Sequence, residues 1–265
     1  MIDFLLFSTA LRDLIRARRL FWVAAFTLLV PVLAFIICKY LHPSSRLWVY
    51  DNLASTMVFG FVLVILAVLF ATGALTQELE QRTIVYLLTR PVERWRILLA
   101  RFLAASVMAT AAAWIAIIGL ALVTVGVHHL GEVHLGRDLL ILPVAALAYS
   151  GIFLFLAALT GKALVPLVVG LLYGFLWESL IPQLPGNFKL ASLMSYVHVL
   201  APHGSELNST QTNSATGMLL ASSTTGYTIT HTVAWVVLLS VIVISLASSL
   251  VVFSVREYVP REEAG

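Results

Sequence analysis

The 265-residue sequence predicts an all-α membrane protein with six transmembrane helices. An amphipathic N-terminal interfacial helix, a charged helical loop after the second span, and an outer re-entrant or interfacial segment between spans five and six complete the fold. Three observations carry this expectation. Hydrophobic residues make up 60% of the chain and charged ones 11%, leaving too little polar surface to cover a water-soluble core. Six apolar runs have the length, about 20 residues, that roughly 30 Å of hydrocarbon demands. The basic residues also segregate to alternate loops. The whole chain reads as one transmembrane domain, 1–265.

The N-terminal 1–19 come first. Phe4, Phe7, Leu11, Leu14 and Ile15 recur at helical spacing with Arg12, Asp13 and Arg16 on other faces, the pattern of a helix lying in the inner interface. The predicted spans follow at 20–41, 53–75, 102–127, 139–160, 163–181 and 232–255. Each is helical because backbone groups in lipid must be satisfied within their own segment. Pro31 interrupts the first span, where its missing amide favours a kink. Spans four and five meet at Gly161-Lys162 in a hairpin with almost no loop.

Orientation follows from Lys and Arg. With the N-terminus inside, the inner segments hold Arg12, Arg16, Arg18, Arg19, Arg82, Arg90, Arg94, Arg96, Arg101, Lys162, Arg256 and Arg261, against Lys39, Arg46, Arg137 and Lys189 outside. This bias puts both termini, including the 256–265 tail, in the cytoplasm of a multi-pass protein of the cell membrane, a bacterial inner or plasma membrane. The net charge of +3 thus reports topology and contact with anionic lipid, and gives no reason to expect nucleic acid. Four arginines before a long first span, and no small-residue cleavage site after it, argue against a cleavable signal peptide. The single cysteine, Cys38, excludes an intramolecular disulfide and a cysteine metal cluster.

The loop at 77–101 holds eight of the chain's 16 basic and 13 acidic residues. Glu78 and Arg82 are spaced to support a helix, and Ile84, Leu87 and Leu88 form a narrow apolar stripe. Arg90-Pro91 then stops it, since the residue before proline is pushed out of the α region. Val92, Trp95, Leu98, Leu99 and Phe102 resume the period into span three, with Arg94, Arg96 and Arg101 set to reach phosphates or a partner.

The run Glu78-x-Glu80-x-x-Thr83-Ile84-x-x-Leu87-Leu88-x-Arg90-Pro91-Val92-x-Arg94 resembles the cytoplasmic loop of the type-2, exporter-like permease class of ATP-binding-cassette transporters. Many members have Gly before the Thr-Ile pair; here Arg82 stands in its place. Trp177-Glu178, followed by Leu184-Pro185-Gly186, is similar to the end of the fifth span in that class. The resemblance implies a permease subunit whose short coupling helix docks on a separate cytoplasmic ABC ATPase. It also implies a homodimer, giving two permeases with two ATPases, and export is part of the same expectation. The coupling residues it names are Glu78, Glu80, Arg82, Thr83, Ile84, Leu87, Leu88, Arg90, Pro91 and Arg94. No phosphate-cradling Gly-x-x-x-x-Gly-Lys-Ser/Thr loop is present, so the chain is not itself an ATPase; ATP and Mg belong to the partner, and no cofactor is expected here.

Gly170 and Gly174 form a small-xxx-small face that suits close helix packing, within the subunit or across a dimer. Glu178 is the lone acidic residue inside a predicted span; near the outer boundary it either reaches water or serves an outer gate. In the outer segment 182–231, Phe188, Leu190, Leu193, Met194, Val197 and Leu200 suit an amphipathic helix. Asn208-Ser209-Thr210 fits a glycosylation sequon. All seven histidines, His42, His128, His129, His134, His198, His203 and His231, fall on the outer side, but the spacing of His128, His129, Glu132 and His134 matches no metal-ligand motif, and no metal is expected. An intramembrane protease is disfavoured: no histidine lies mid-span beside Ser150, and His-Glu-x-x-His is absent. A stand-alone secondary carrier or channel remains the other alternative; it would show ionisable groups or broken helices at mid-membrane.

Overall fold

A computed structural model describes residues 2–15, 17–40, 46–80, 94–127, 133–160, 164–178, 190–201, 203 and 229–255. Among these the chain is almost entirely helical, without strands. The first helix, α1 (Ile2–Leu14), lays Phe7, Ala10, Leu11 and Leu14 against the core. The next, α2 (Ala17–Tyr40), runs through Pro31, whose ring packs against Gly119. A long rod, α3 (46–80), joins Arg46–Leu53, a π-helical stretch Ala54–Val62, and Leu63–Glu80. After it come α4 (Arg94–Thr124) and α5 (Leu135–Thr160), then α6 (164–177), in which Leu164–Leu172 passes into a π-helical turn Tyr173–Trp177. The short α7 (Leu193–Leu200) and the long α8 (His231–Val255) end the described chain.

Five of these helices are long and apolar enough to cross a membrane: Leu20–Tyr40, Arg46–Leu75, Trp95–Thr124, Leu135–Thr160 and His231–Ser254. The fifth predicted span is described only over 164–178, as helix. Burial sorts the helices into centre and rim. The most apolar stretch of α3 is 83% buried, against 22% for α2 and for α8, so α3 is the axle of the bundle. It packs on α4, α5 and α6, while α8 lies along α5 and α1 lies across the beginning of α4.

Three predicted boundaries shift in the structure, that of span three from 102 to Trp95. Spans two and four begin earlier than hydropathy indicates, at Arg46 and Leu135, and so take Asp51 and Asp138 into the bundle. Both acids have partners there, which removes the desolvation cost that normally ends an apolar run at a charge. The end of α4 is set by backbone. Gly126 takes a φ of 79°, a left-handed value that glycine adopts without steric cost.

Candidate functional site

At the beginning of α4, the Arg101 guanidinium donates from Nη1 to the carbonyl oxygen of Ala74 on α3, and Asp13 of α1 acts on the same charge. Arg101 is buried. The expectation that it reaches for phosphates or a partner is therefore corrected: a carbonyl near the end of α3 is in range, and the side chain fastens three helices instead. Helix α3 continues through Glu78 and Glu80, and α4 resumes at Arg94. Arg82, Thr83, Ile84, Leu87, Leu88, Arg90 and Pro91 lie outside the described residues, as do the sequon, Phe188 and His42, His128, His129 and Glu132. No group of three or more metal-ligating side chains that could hold a metal ion occurs among the described residues.

Gly170 and Gly174 face α3 of the same chain. A methyl group on Gly170 would collide with Val68 and press on Phe153; one on Gly174 would come within 2.8 Å of Val64. Pairing of 170 with 68 and of 174 with 64 runs in opposite senses, so α6 is antiparallel to the axle.

At its end stands Glu178, 2% exposed. It does not snorkel, which corrects that sequence-based alternative. Its carboxyl group instead accepts the first amides of α7, from Leu193 at 3.2 Å and Met194 at 3.0 Å, together with the Ser192 hydroxyl. These are amides that a helix leaves unpaired at its N-terminus, and the positive end of the helix dipole favours an acid there. Trp177 adds a donation from Nε1 to the Ala191 carbonyl at 3.2 Å, and Tyr149 and Tyr173 stand close enough to act electrostatically on Glu178.

The other end of α7 leads to a second acid-bound site. His203 lies with Nδ1 3.2 Å from Asp51 Oδ1 on α3 and Nε2 2.9 Å from Asp138 Oδ1 on α5. The second contact is bent off the ring N–H axis, so charge carries it more than a linear hydrogen bond. Tyr50 donates to the other oxygen of Asp138 at 2.9 Å. The rings of Tyr50 and Phe59 flank the imidazole at 6.0 and 5.9 Å. Burial alone pulls the basicity of His203 down, but the contacts and charges of Asp138 and Asp51 outweigh it and push its pKa up to about 9. Nearby His198, desolvated and repelled by His203, is pushed down to about 4.

The two sites differ in depth. Met194 touches the position of Gly60, nine residues along α3 from Asp51, and Tyr149 is eleven residues along α5 from Asp138. At 1.5 Å per residue, Glu178 lies about 14–17 Å further into the bundle than His203. Helix α7, eight residues long and so about 12 Å, spans most of that difference. A short helix thus rises between α3, α5 and α8, anchored at its deep end by Glu178 and near its shallow end by two aspartates.

Sequence reasoning singled out Glu178 but missed Asp51, Asp138 and Tyr50, and it left His203 undistinguished among seven histidines. The available signal was positional: Asp138 directly precedes a predicted apolar run and Asp51 stands two residues before one.

Comparison with known proteins adds one match. The model of a family described as ABC-2 family transporter protein matches residues 15–177, more than half of the chain. No curated protein matches it.

Proposed function

The chain belongs to the ABC-2 family of transporter proteins, and from that premise we propose that it is a permease subunit lining the path of an ATP-driven exporter. Hydrolysis falls to a separate cytoplasmic ATPase, which carries ATP and Mg; this chain brings no cofactor. Two permeases pair with two ATPases in the cell membrane, with both termini of this chain cytoplasmic. Glu78, Glu80, Arg82, Thr83, Ile84, Leu87, Leu88, Arg90, Pro91 and Arg94 form the docking face, with Leu87 and Leu88 as its apolar anchor. Glu178 belongs to the outer gate.

The observation that carries this reading is the junction below the bundle. Segment 81–93 leaves from the end of α3 and returns at the beginning of α4, and Arg101 fastens those two helices together through Ala74. A push on the segment is therefore delivered to the most buried helix of the bundle. The test is to replace Leu87 and Leu88 with Asp and to measure ATPase co-purification and stimulated hydrolysis. Both fall if the reading is right; unchanged values defeat it.

The buried acids and His203 favour one other reading, an ion-coupled secondary carrier. Transport that persists in vesicles without ATP supports the carrier and excludes the exporter.

A further inference from the structure

The imidazole of His203 presents both ring nitrogens to acids on two different helices. A neutral imidazole has one N–H, so one nitrogen would face an aspartate oxygen with a lone pair. Only the doubly protonated ring suits both neighbours. The ring is also closed off, its side chain 1% exposed, and it joins parts of the chain 152 residues apart.

We propose that His203 is a protonation-dependent latch that holds the α7 segment on α3 and α5, and that loss of its proton frees this segment from the mouth of the bundle. Its role as an outer latch rests on the permease reading above; the latch itself does not.

The groups around the ring agree in sign. Asp51 and Tyr50 face it from α3, and Asp138 faces it from α5. Tyr50 satisfies the far oxygen of Asp138 and so leaves the near one to the ring. Arg137, beside Asp138 on α5, acts on Tyr50, and its like charge opposes the imidazolium. From α7, His198 is held well below neutrality, so it stays uncharged and does not compete. The two aspartates prevail, which keeps the latch closed at neutral pH. Asp51 is the wetter of the two, its side chain 41% exposed, and marks the side on which a proton leaves.

The latch also ties proton movement to helix movement. When α3 and α5 draw apart, the ring loses its acids and returns toward an ordinary histidine pKa of about 6.5. At neutral pH the proton then departs, and re-closure takes one up.

Cysteine accessibility on the full-length chain tests this. In a Cys38→Ser background, Val197→Cys places a thiol at a position 1% exposed on α7, and Thr230→Cys serves as the exposed reference. The maleimide labelling rate of the first is divided by that of the second at each pH, which cancels the chemistry of the thiol. The ratio is expected to rise about tenfold between about pH 7 and pH 10, as the ring loses its proton. His203→Gln is expected to give a high ratio at every pH. Asp51→Asn, which keeps the buried Asp138, shifts the midpoint toward neutral pH. If His203→Gln does not fold, Asp51→Asn carries the test alone. Neither nucleotide nor ATPase is needed, so failure to bind an ATPase would overturn the permease reading and leave the latch standing. A pH-independent ratio in the parent, or an Asp51→Asn profile that superimposes on it, overturns the latch.

Discussion

Arg101 spans the gap between α4 and α3 to reach the carbonyl of Ala74. A buried guanidinium is costly unless its donors are met, and this one is met by a carbonyl near the end of the axle helix, with Asp13 of α1 in electrostatic range. Arg101→Ala is expected to cost about 1–3 kcal/mol and to lower the melting temperature in detergent. Arg101→Lys keeps the charge without the fork and should fall between. A melting temperature unchanged by Arg101→Ala would show that the three helices are fastened elsewhere.

Gly170 leaves room for Val68 and Phe153. Gly170→Ala should destabilise by about 1–3 kcal/mol through overpacking. Adding Val68→Ala should restore part of that loss, with a coupling energy of at least about 0.5 kcal/mol. A double-mutant cycle by thermal unfolding decides: strict additivity would mean that the two residues do not touch.

Glu178 takes up amides that α7 cannot satisfy alone. Glu178→Leu should expose them to a loss of about 1–3 kcal/mol each, and Glu178→Gln, which retains one acceptor oxygen, should lose less. Hydrogen exchange at the amides of Leu193 and Met194 is the direct readout. It should quicken in both variants and more in Glu178→Leu.

Stability should vary with pH on both sides of neutrality. For His203 the folded pKa, about 9, exceeds the ordinary 6.5, so its contribution is complete below 6.5 and fades as pH rises through about 9. For His198 the folded value, about 4, lies below 6.5; the unfolded chain binds a proton that the fold resists, and stability falls as pH drops from 6.5 toward 4. Melting curves should therefore peak near neutral pH. His203→Gln should flatten the alkaline arm and His198→Gln the acidic one.

Hydropathy located all five long helices, with starts up to seven residues late, because lipid imposes one backbone solution on any apolar run of sufficient length. It also found the apolar positions of α7, since Leu193, Met194, Val197 and Leu200 keep the helical period and are buried. What it missed is charge neutralised over distance. Asp138 looks like a residue that must end a helix until His203, 65 positions later, is placed against it. Glu178 looks like a side chain bound for water until the amides at 193 and 194 come round to meet it. Periodicity is local; such pairings form only when separate parts of the chain are brought together by folding. Arg101 misled for the same reason, as its partner at Ala74 is a backbone oxygen with no side-chain signature.

Because the bare backbone at Gly170 and Gly174 is taken up by α3, the opposite wall of α6 consists of Val165, Val169, Leu172 and Leu176, all well exposed. Whatever leans on that wall, acyl chains or a neighbouring subunit, meets branched aliphatic groups rather than flat ribbon. Its axis must stand off by the depth of those side chains, so the tightest seam involving α6 is internal to the molecule.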